Sequence, residues 1–164
     1  MIRAIMNNYL LSIIYNLALL VRALIRRITR PTEMGVRVLV VRNSEVLLIR
    51  HRGGRRPWSL PGGGVAPRET LDTAALREVR EEAGCLITIT TFHGMFHNFT
   101  QGFNNYIAVF VAQPRYDIRP PIGDLEIAEA RFVPLDQLPA GLDPGSRRRI
   151  AEYLRSEHGL IGMW

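Results

Sequence analysis

A mixed α/β domain with a largely non-parallel sheet, preceded by a separate N-terminal helix, is what the order of patterns along this chain predicts. Three observations carry that expectation. Short runs rich in Val, Ile and Leu recur at 35–42, 45–51, 86–92, 106–112 and 130–133, with the composition and length of strands. Two longer stretches, 70–83 and 145–157, carry helical spacing with start and stop signals. The first 30 residues differ in charge and hydropathy from all that follows. The chain therefore divides into an N-terminal segment, 1–30, and a domain, 31–164.

From Ala4 to Val21 there is no charged residue for 18 positions. As a helix this stretch would be about 27 Å long, barely enough to cross a bilayer core. Its asparagines, serine and tyrosines weaken the case for spanning, and its pattern is amphipathic. Leu10, Ile13, Leu17, Leu20 and Leu24 form a stripe, with Asn8, Ser12, Tyr15, Arg22 and Arg26 opposite. Such a helix fits a membrane surface or a partner; a true span and packing on its own domain are the alternatives. In a span, the arginines at 22–30 would keep the domain in the cytoplasm. No small-residue cleavage site follows, which argues against removal as a signal peptide.

Thr29-Arg30-Pro31-Thr32 reads as a linker, since proline ends the helix. Gly35–Arg42 and Glu45–His51 are apolar runs separated by Asn43-Ser44, a hairpin signal. The loop that follows, RGGRRP, leads through Trp58-Ser59-Leu60 into Pro61-Gly62-Gly63-Gly64, where so many breakers allow only a specially shaped turn. Thr70 is the expected N-cap of the next helix and Gly84 its stop. Two strands joined by an aromatic, Asn-rich connection, a short strand and a closing helix complete the order.

The formal charge is +6, and all 21 basic residues are arginine. Residues 1–30 hold five arginines and no acid, so residues 31–164 hold 16 arginines against 15 acids. A nearly neutral domain argues against a long nucleic acid as partner. The single cysteine, Cys85, excludes an intrachain disulfide and a cysteine-built zinc site, and suits a reducing compartment.

The chemistry is concentrated in GGVAPRETLDTAALREVREEAGC. On a helix Glu78, Glu81 and Glu82 share an arc of roughly 100°, where like charges repel by about 0.2–0.5 kcal/mol per pair. Ala75, Leu76, Val79 and Ala83 lie beside this arc, so core packing would hold the carboxylates rigid. Arg77 can bond an upstream carboxylate, with Glu69 the obvious candidate. The glycines allow backbone groups to approach a ligand closely. Glutamates above a glycine loop suit a hard divalent cation such as Mg²⁺, which shares its oxygen ligands with phosphates and would offset the crowded charge.

These residues resemble the signature of Nudix hydrolases, G-x5-E-x7-R-E-U-x-E-E-x-G-U with U a bulky aliphatic. Gly63, Glu69, Arg77, Glu78, Val79, Glu81, Glu82 and Gly84 meet it at the right spacings. Seven fixed identities arise by chance with odds on the order of one in 10⁸. Cys85 holds the last aliphatic position, and Arg68 stands where many relatives have glycine. The resemblance implies an α/β/α sandwich with a mixed sheet, and hydrolysis of a nucleoside diphosphate linked to another group. It implies Glu78, Glu82 and the Gly62 carbonyl as ligands of Mg²⁺, with Mn²⁺ as substitute, and Glu81 holding the metal or its water. Arg77 and Glu69 would orient the helix. The general base varies in the family and often lies outside the motif; Glu126 and Glu129 are the candidates here.

Arg50, Arg52 and Arg55 could fork onto substrate phosphates and Trp58 could stack on a base, each against a plainer reading as charged loop or packing. His93 and His97 read as structural. The expected partner is a small nucleotide, in the cytoplasm, with membrane association through residues 1–30 as an added option and homodimerisation open. Competing classes are a Nudix-like sensor without catalysis, a membrane adaptor, and removal of pyrophosphate from RNA 5′ ends. The intact carboxylate set counts against the first two, and the near-neutral domain against the third.

Overall fold

β1 (Glu33–Arg42) and β2 (Glu45–His51) are joined through Asn43 and Ser44, with φ of 44° and 65°, the two positive values of a type I′ hairpin turn. This is a computed structural model, and it describes residues 16–17, 19–21, 32–52, 58–99, 104–119 and 126–164. The remaining elements are β3 (Trp58–Ser59), α1 (Leu71–Ala83), β4 (Ile87–Asn98), β5 (Asn105–Pro114), β6 (Ile127–Pro134), α2 (Pro144–Leu154) and β7 (Leu160–Met163). The strands run in the order β3-β2-β1-β5-β4-β7, with β6 on β2. The β1–β5 and β4–β7 pairs are parallel and the others antiparallel. The sheet is mixed, as expected.

The apolar strand runs are continuous because both faces of the sheet are covered. Val36, Val38 and Val40 of β1 join Ala74, Ala75, Val79 and Ala83 of α1 in one core cluster. Leu39 points the other way and packs with Leu48, Phe96, Val109 and Ile150 of α2 in the second. One helix therefore lies on each face, the α/β/α sandwich that the resemblance implies.

α1 begins where local chemistry says it should. The Thr70 side chain accepts from the Thr73 N–H, and Gly84 closes the helix in the left-handed conformation, a cap worth about 1 kcal/mol. Its buried face differs by one position from expectation. Ala74 is fully buried, whereas Leu76 is 41% exposed, because the sheet takes the side of α1 that places Glu82 inside. α2 ends at Leu154 rather than 157, and the strands at 87–98 and 105–114 run longer than the 86–92 and 106–112 read from the sequence. β7 is an addition. A Cβ at Gly94 of β4 would lie 2.4 Å from the Leu160 carbonyl, so glycine there lets β7 approach.

Arg68 adopts φ +64°, the left-handed region that costs a non-glycine residue about 1–2 kcal/mol. This explains why glycine suits the position. Arg68→Gly should stabilise the protein by about 0.5 kcal/mol, the strain relieved less the extra chain entropy of glycine. Urea unfolding checks this, and a loss of stability would refute it.

Positions 16–17 and 19–21 are helical with exposed side chains; the rest of the N-terminal segment lies outside the described residues. Among the described residues no helix is long and apolar enough to cross a membrane.

Candidate active site

β1 and β2 pair only at Val41–Val46 and Arg42–Glu45. Beyond this the glycine loop runs along the freed edge of β1. The Val38 N–H donates to Pro61 O and the Val36 N–H to Gly63 O, both at 2.9 Å, and the Val65 N–H donates to Met34 O at 3.0 Å. The loop is thereby held as rigidly as a strand. Gly62 is the position that needs glycine twice over: its φ is +140°, and a Cβ would fall 2.1 Å from the Val36 carbonyl. Its N–H turns toward α1 and donates to Glu82 Oε2 at 2.7 Å.

The crowded glutamates of α1 are held in different ways. Arg77 Nε and Nη2 grip Glu69 at 2.7 and 2.9 Å, and Nη1 donates to Glu78 at 2.7 Å and Glu81 at 3.0 Å. Arg77 Nη2 also donates to Gly64 O at 3.0 Å, tying helix to loop. The hydrogen bonds from Arg77, joined by the Ala66 N–H, hold the Glu69 carboxyl down at about 2. The expected Arg77–Glu69 pair is thus formed, and the same guanidinium relieves the Glu78–Glu81 repulsion. Among the described residues Glu82 receives no such partner. It is 8% exposed, and burial pushes its carboxyl up to about 8, against the opposing pull of Arg37 and the Gly62 N–H. A buried carboxyl in this condition is one that a cation would return to the ionised form.

Among the described residues no three His, Cys, Asp or Glu side chains already stand in a closed metal cluster. Glu78 and Glu81 lean on Arg77, and the Gly62 carbonyl accepts from Arg37 Nη1. The donor set nevertheless fits Mg²⁺ or Mn²⁺, since it is made wholly of oxygens. The space is also reserved: a Cβ at Gly63 would lie 2.6–2.7 Å from the Glu78 carboxylate, so the loop leaves room there for that group.

A cleft of about 620 Å³ opens beside the loop, lined in part by Arg37, His51, Gly62, Gly63, Asn105 and Glu126. Glu126 reaches the site: its side chain is 56% exposed, 3.8 Å from His51 Nδ1, and it adds to the field on Glu82. Glu129 is tied to Arg50 at 3.1 Å across the β2–β6 pair. Arg50, Arg52 and Trp58 are not among the cleft residues, and Arg55 lies outside the described residues. Trp58 is 9% exposed, in the cluster beneath α2, with the Arg131 guanidinium 4.7 Å from its ring. Packing, the plainer reading, accounts for its position. Phe96 is likewise core, and fully buried His93 bonds Glu152 at 3.0 Å.

Arg37 is the residue that the sequence reading passed over. It interrupts an otherwise apolar strand, GVRVLVVR, and that interruption was the available signal.

Comparison with known proteins agrees with this geometry. The family model described as the NUDIX domain matches residues 31–153. A MutT-like protein of Streptomyces ambofaciens is 36% identical over 70 residues, 43% of this chain and 46% of that one. Diphosphoinositol polyphosphate phosphohydrolase 2 of Rattus norvegicus is 40% identical over 65 residues, 40% of this chain and 36% of that one. The chain thus spans less than half the length of either relative. A crystal structure described as an ADP-ribose pyrophosphatase from Streptococcus suis superposes with TM-score 0.63 at 21% identity, covering 82% of this chain and all of that one. With the family model matched over residues 31–153, and with the glycine loop, Arg77 and the three glutamates in place, this chain belongs to the Nudix family.

Proposed function

We propose that the protein hydrolyses a diphosphate linkage in a small nucleoside diphosphate derivative, a sugar nucleotide such as ADP-ribose or a (deoxy)nucleoside triphosphate, with Mg²⁺ as cofactor. The observation that carries this reading is Glu82, a buried carboxyl without a cationic partner in contact among the described residues, bonded to the glycine loop beside a cleft of about 620 Å³. A divalent cation held there would neutralise charge on the phosphoryl oxygens and acidify water. Glu82, Glu78 and the Gly62 carbonyl are the groups that would hold it, with Glu81 beside them. Arg77 fixes the helix against the loop, so these oxygens are positioned before substrate arrives. Glu126, at the cleft and close to His51, would take the proton from an attacking water. The names of the rat relative and of the Streptococcus neighbour both denote enzymes that act on a diphosphate, which supports the class without choosing the substrate.

The test is product release with Mg²⁺ from ADP-ribose, other sugar nucleotides, dinucleoside polyphosphates and (deoxy)nucleoside triphosphates. Turnover of at least one that disappears without the cation is expected. Silence across the panel, with no binding of Mn²⁺, would overturn the reading in favour of a ligand sensor.

A further inference from the structure

Arg37 lies on the cleft wall in β1, half-buried, with Nη1 donating to the carbonyls of Leu60, at 3.0 Å, and Gly62. Several arginines around the fold are neutralised by carboxylates in contact, Arg42 by Asp117, Arg50 by Glu129, Arg77 by three glutamates and Arg149 by Glu152. Arg115 and Arg147, which bond the neutral oxygens of Thr88 and Pro139, are exposed to water. Arg37 makes no such ion pair among the described residues, and its Nε and Nη2 meet no acceptor there. It is therefore a cation fixed in place by one edge of its guanidinium, with the other edge uncommitted.

Carbonyl clasping alone does not account for an arginine. A neutral amide would serve Leu60 and Gly62 as well, and burying part of an unpaired charge beside a strand is costly. What arginine adds is a planar fork matched to two oxygens of a phosphate. The clasp has already removed much of the side chain's rotamer freedom, so a phosphate meeting it would pay little ordering entropy. The charge balance agrees. Arg77 and a bound cation would compensate the glutamates of α1, which leaves Arg37 available to an anionic ligand among the described residues of the cleft.

We infer that Arg37 is a substrate-binding residue that grips non-bridging oxygens of the diphosphate through Nε and Nη2 while Nη1 holds the glycine loop. This rests on the diphosphate-hydrolase reading above.

The test uses the full chain, Arg37→Gln and Arg37→Lys, with two measurements. One is steady-state turnover of the preferred substrate. The other is calorimetric binding of α,β-methylene-ADP in Mn²⁺, with Mn²⁺ affinity followed by electron paramagnetic resonance. Glutamine keeps a donor for Gly62 and loses the charge; lysine keeps the charge and loses the fork. Arg37→Gln should raise KM and weaken α,β-methylene-ADP binding by about tenfold to a hundredfold, the scale of a charged hydrogen bond. Its kcat should change by less than about threefold, lysine should recover part of the loss, and Mn²⁺ affinity should hold or improve. Unchanged KM and unchanged probe binding in both variants would overturn the inference. So would a matched fall in kcat and Mn²⁺ affinity at constant KM, which marks a residue that only shapes the loop. If wild type binds the probe without turnover and Arg37→Gln loses that binding, the hydrolase reading fails and the Arg37 site stands. A wild type that neither binds the probe nor turns over any diphosphate overturns both.

Discussion

Glu82→Gln should lower turnover of the preferred diphosphate substrate by about a thousandfold or more, the scale set by loss of a principal electrostatic group, while the fold survives. The amide oxygen of glutamine can still accept the Gly62 N–H, now made to Glu82 Oε2 at 2.7 Å, so the link between α1 and the loop is kept. What disappears is the charge. The cation-free protein should even gain from the change. Burial raises the Glu82 carboxyl from an ordinary 4.5 to about 8. Between those values the unfolded chain has released a proton that the native protein still holds, so this group lowers stability as pH rises through the window and adds nothing further above it. Glutamine has no such penalty. The melting temperature of the cation-free variant should match wild type below about pH 4.5 and exceed it near pH 8. Added Mn²⁺ should raise the melting temperature of wild type and leave the variant nearly unmoved. Undiminished turnover in a folded variant would remove Glu82 from the site altogether.

How much of this was written in the sequence depends on how far apart the cooperating residues are. Thr70 and Gly84 act on their own helix, and both caps stand where the sequence reading put them. The Arg77–Glu69 grip spans eight positions of loop and helix, and residue type and spacing indicate it. The helical arc of Glu78, Glu81 and Glu82 is fixed by α-helical geometry, but which of them turns inward is not. That depends on where the sheet lies against α1, and it put Glu82 and Ala74 inside and Leu76 outside. β7 is four residues long, with a glycine in it, and exists because β4 accepts it in parallel. No local pattern signals such a strand. Arg37 owes its meaning to Leu60 and Gly62, more than twenty positions away. The sequence shows only an arginine in an apolar run.

The same limit hid a buried charge cluster on the far side of the sheet, and its removal should have the largest effect on stability. Arg149 is 3% exposed. Its Nε donates to Glu152 at 2.6 Å and its Nη1 to Met163 O at 3.1 Å, while the guanidinium lies 3.6 Å from the Phe96 ring centroid. Glu152 in turn meets His93 Nε2 at 3.0 Å. Glu152 thus ties α2 to β4, and Arg149, held by Glu152, ties α2 to β7. Burial pushes that carboxyl up, but the hydrogen bonds from Arg149 and His93 outweigh it and hold Glu152 below its ordinary range. Its contribution is therefore present at neutral pH and lost as pH falls below that range. The two partners are not equivalent. Glu152 is 14% exposed at its side chain against 4% for Arg149, so a stranded Glu152 can turn to water and a stranded Arg149 cannot. Glu152→Leu should cost about 3–5 kcal/mol in urea unfolding, the penalty of an uncompensated buried charge. Arg149→Met should cost roughly half as much, since Met keeps the apolar contact with Phe96. The double variant, which leaves neither charge behind, should lose well under the sum of the two. Equal losses for the two single variants, or strict additivity in the double, would mean that Arg149 finds solvent when its partner is gone, and that packing rather than charge holds α2 to the sheet.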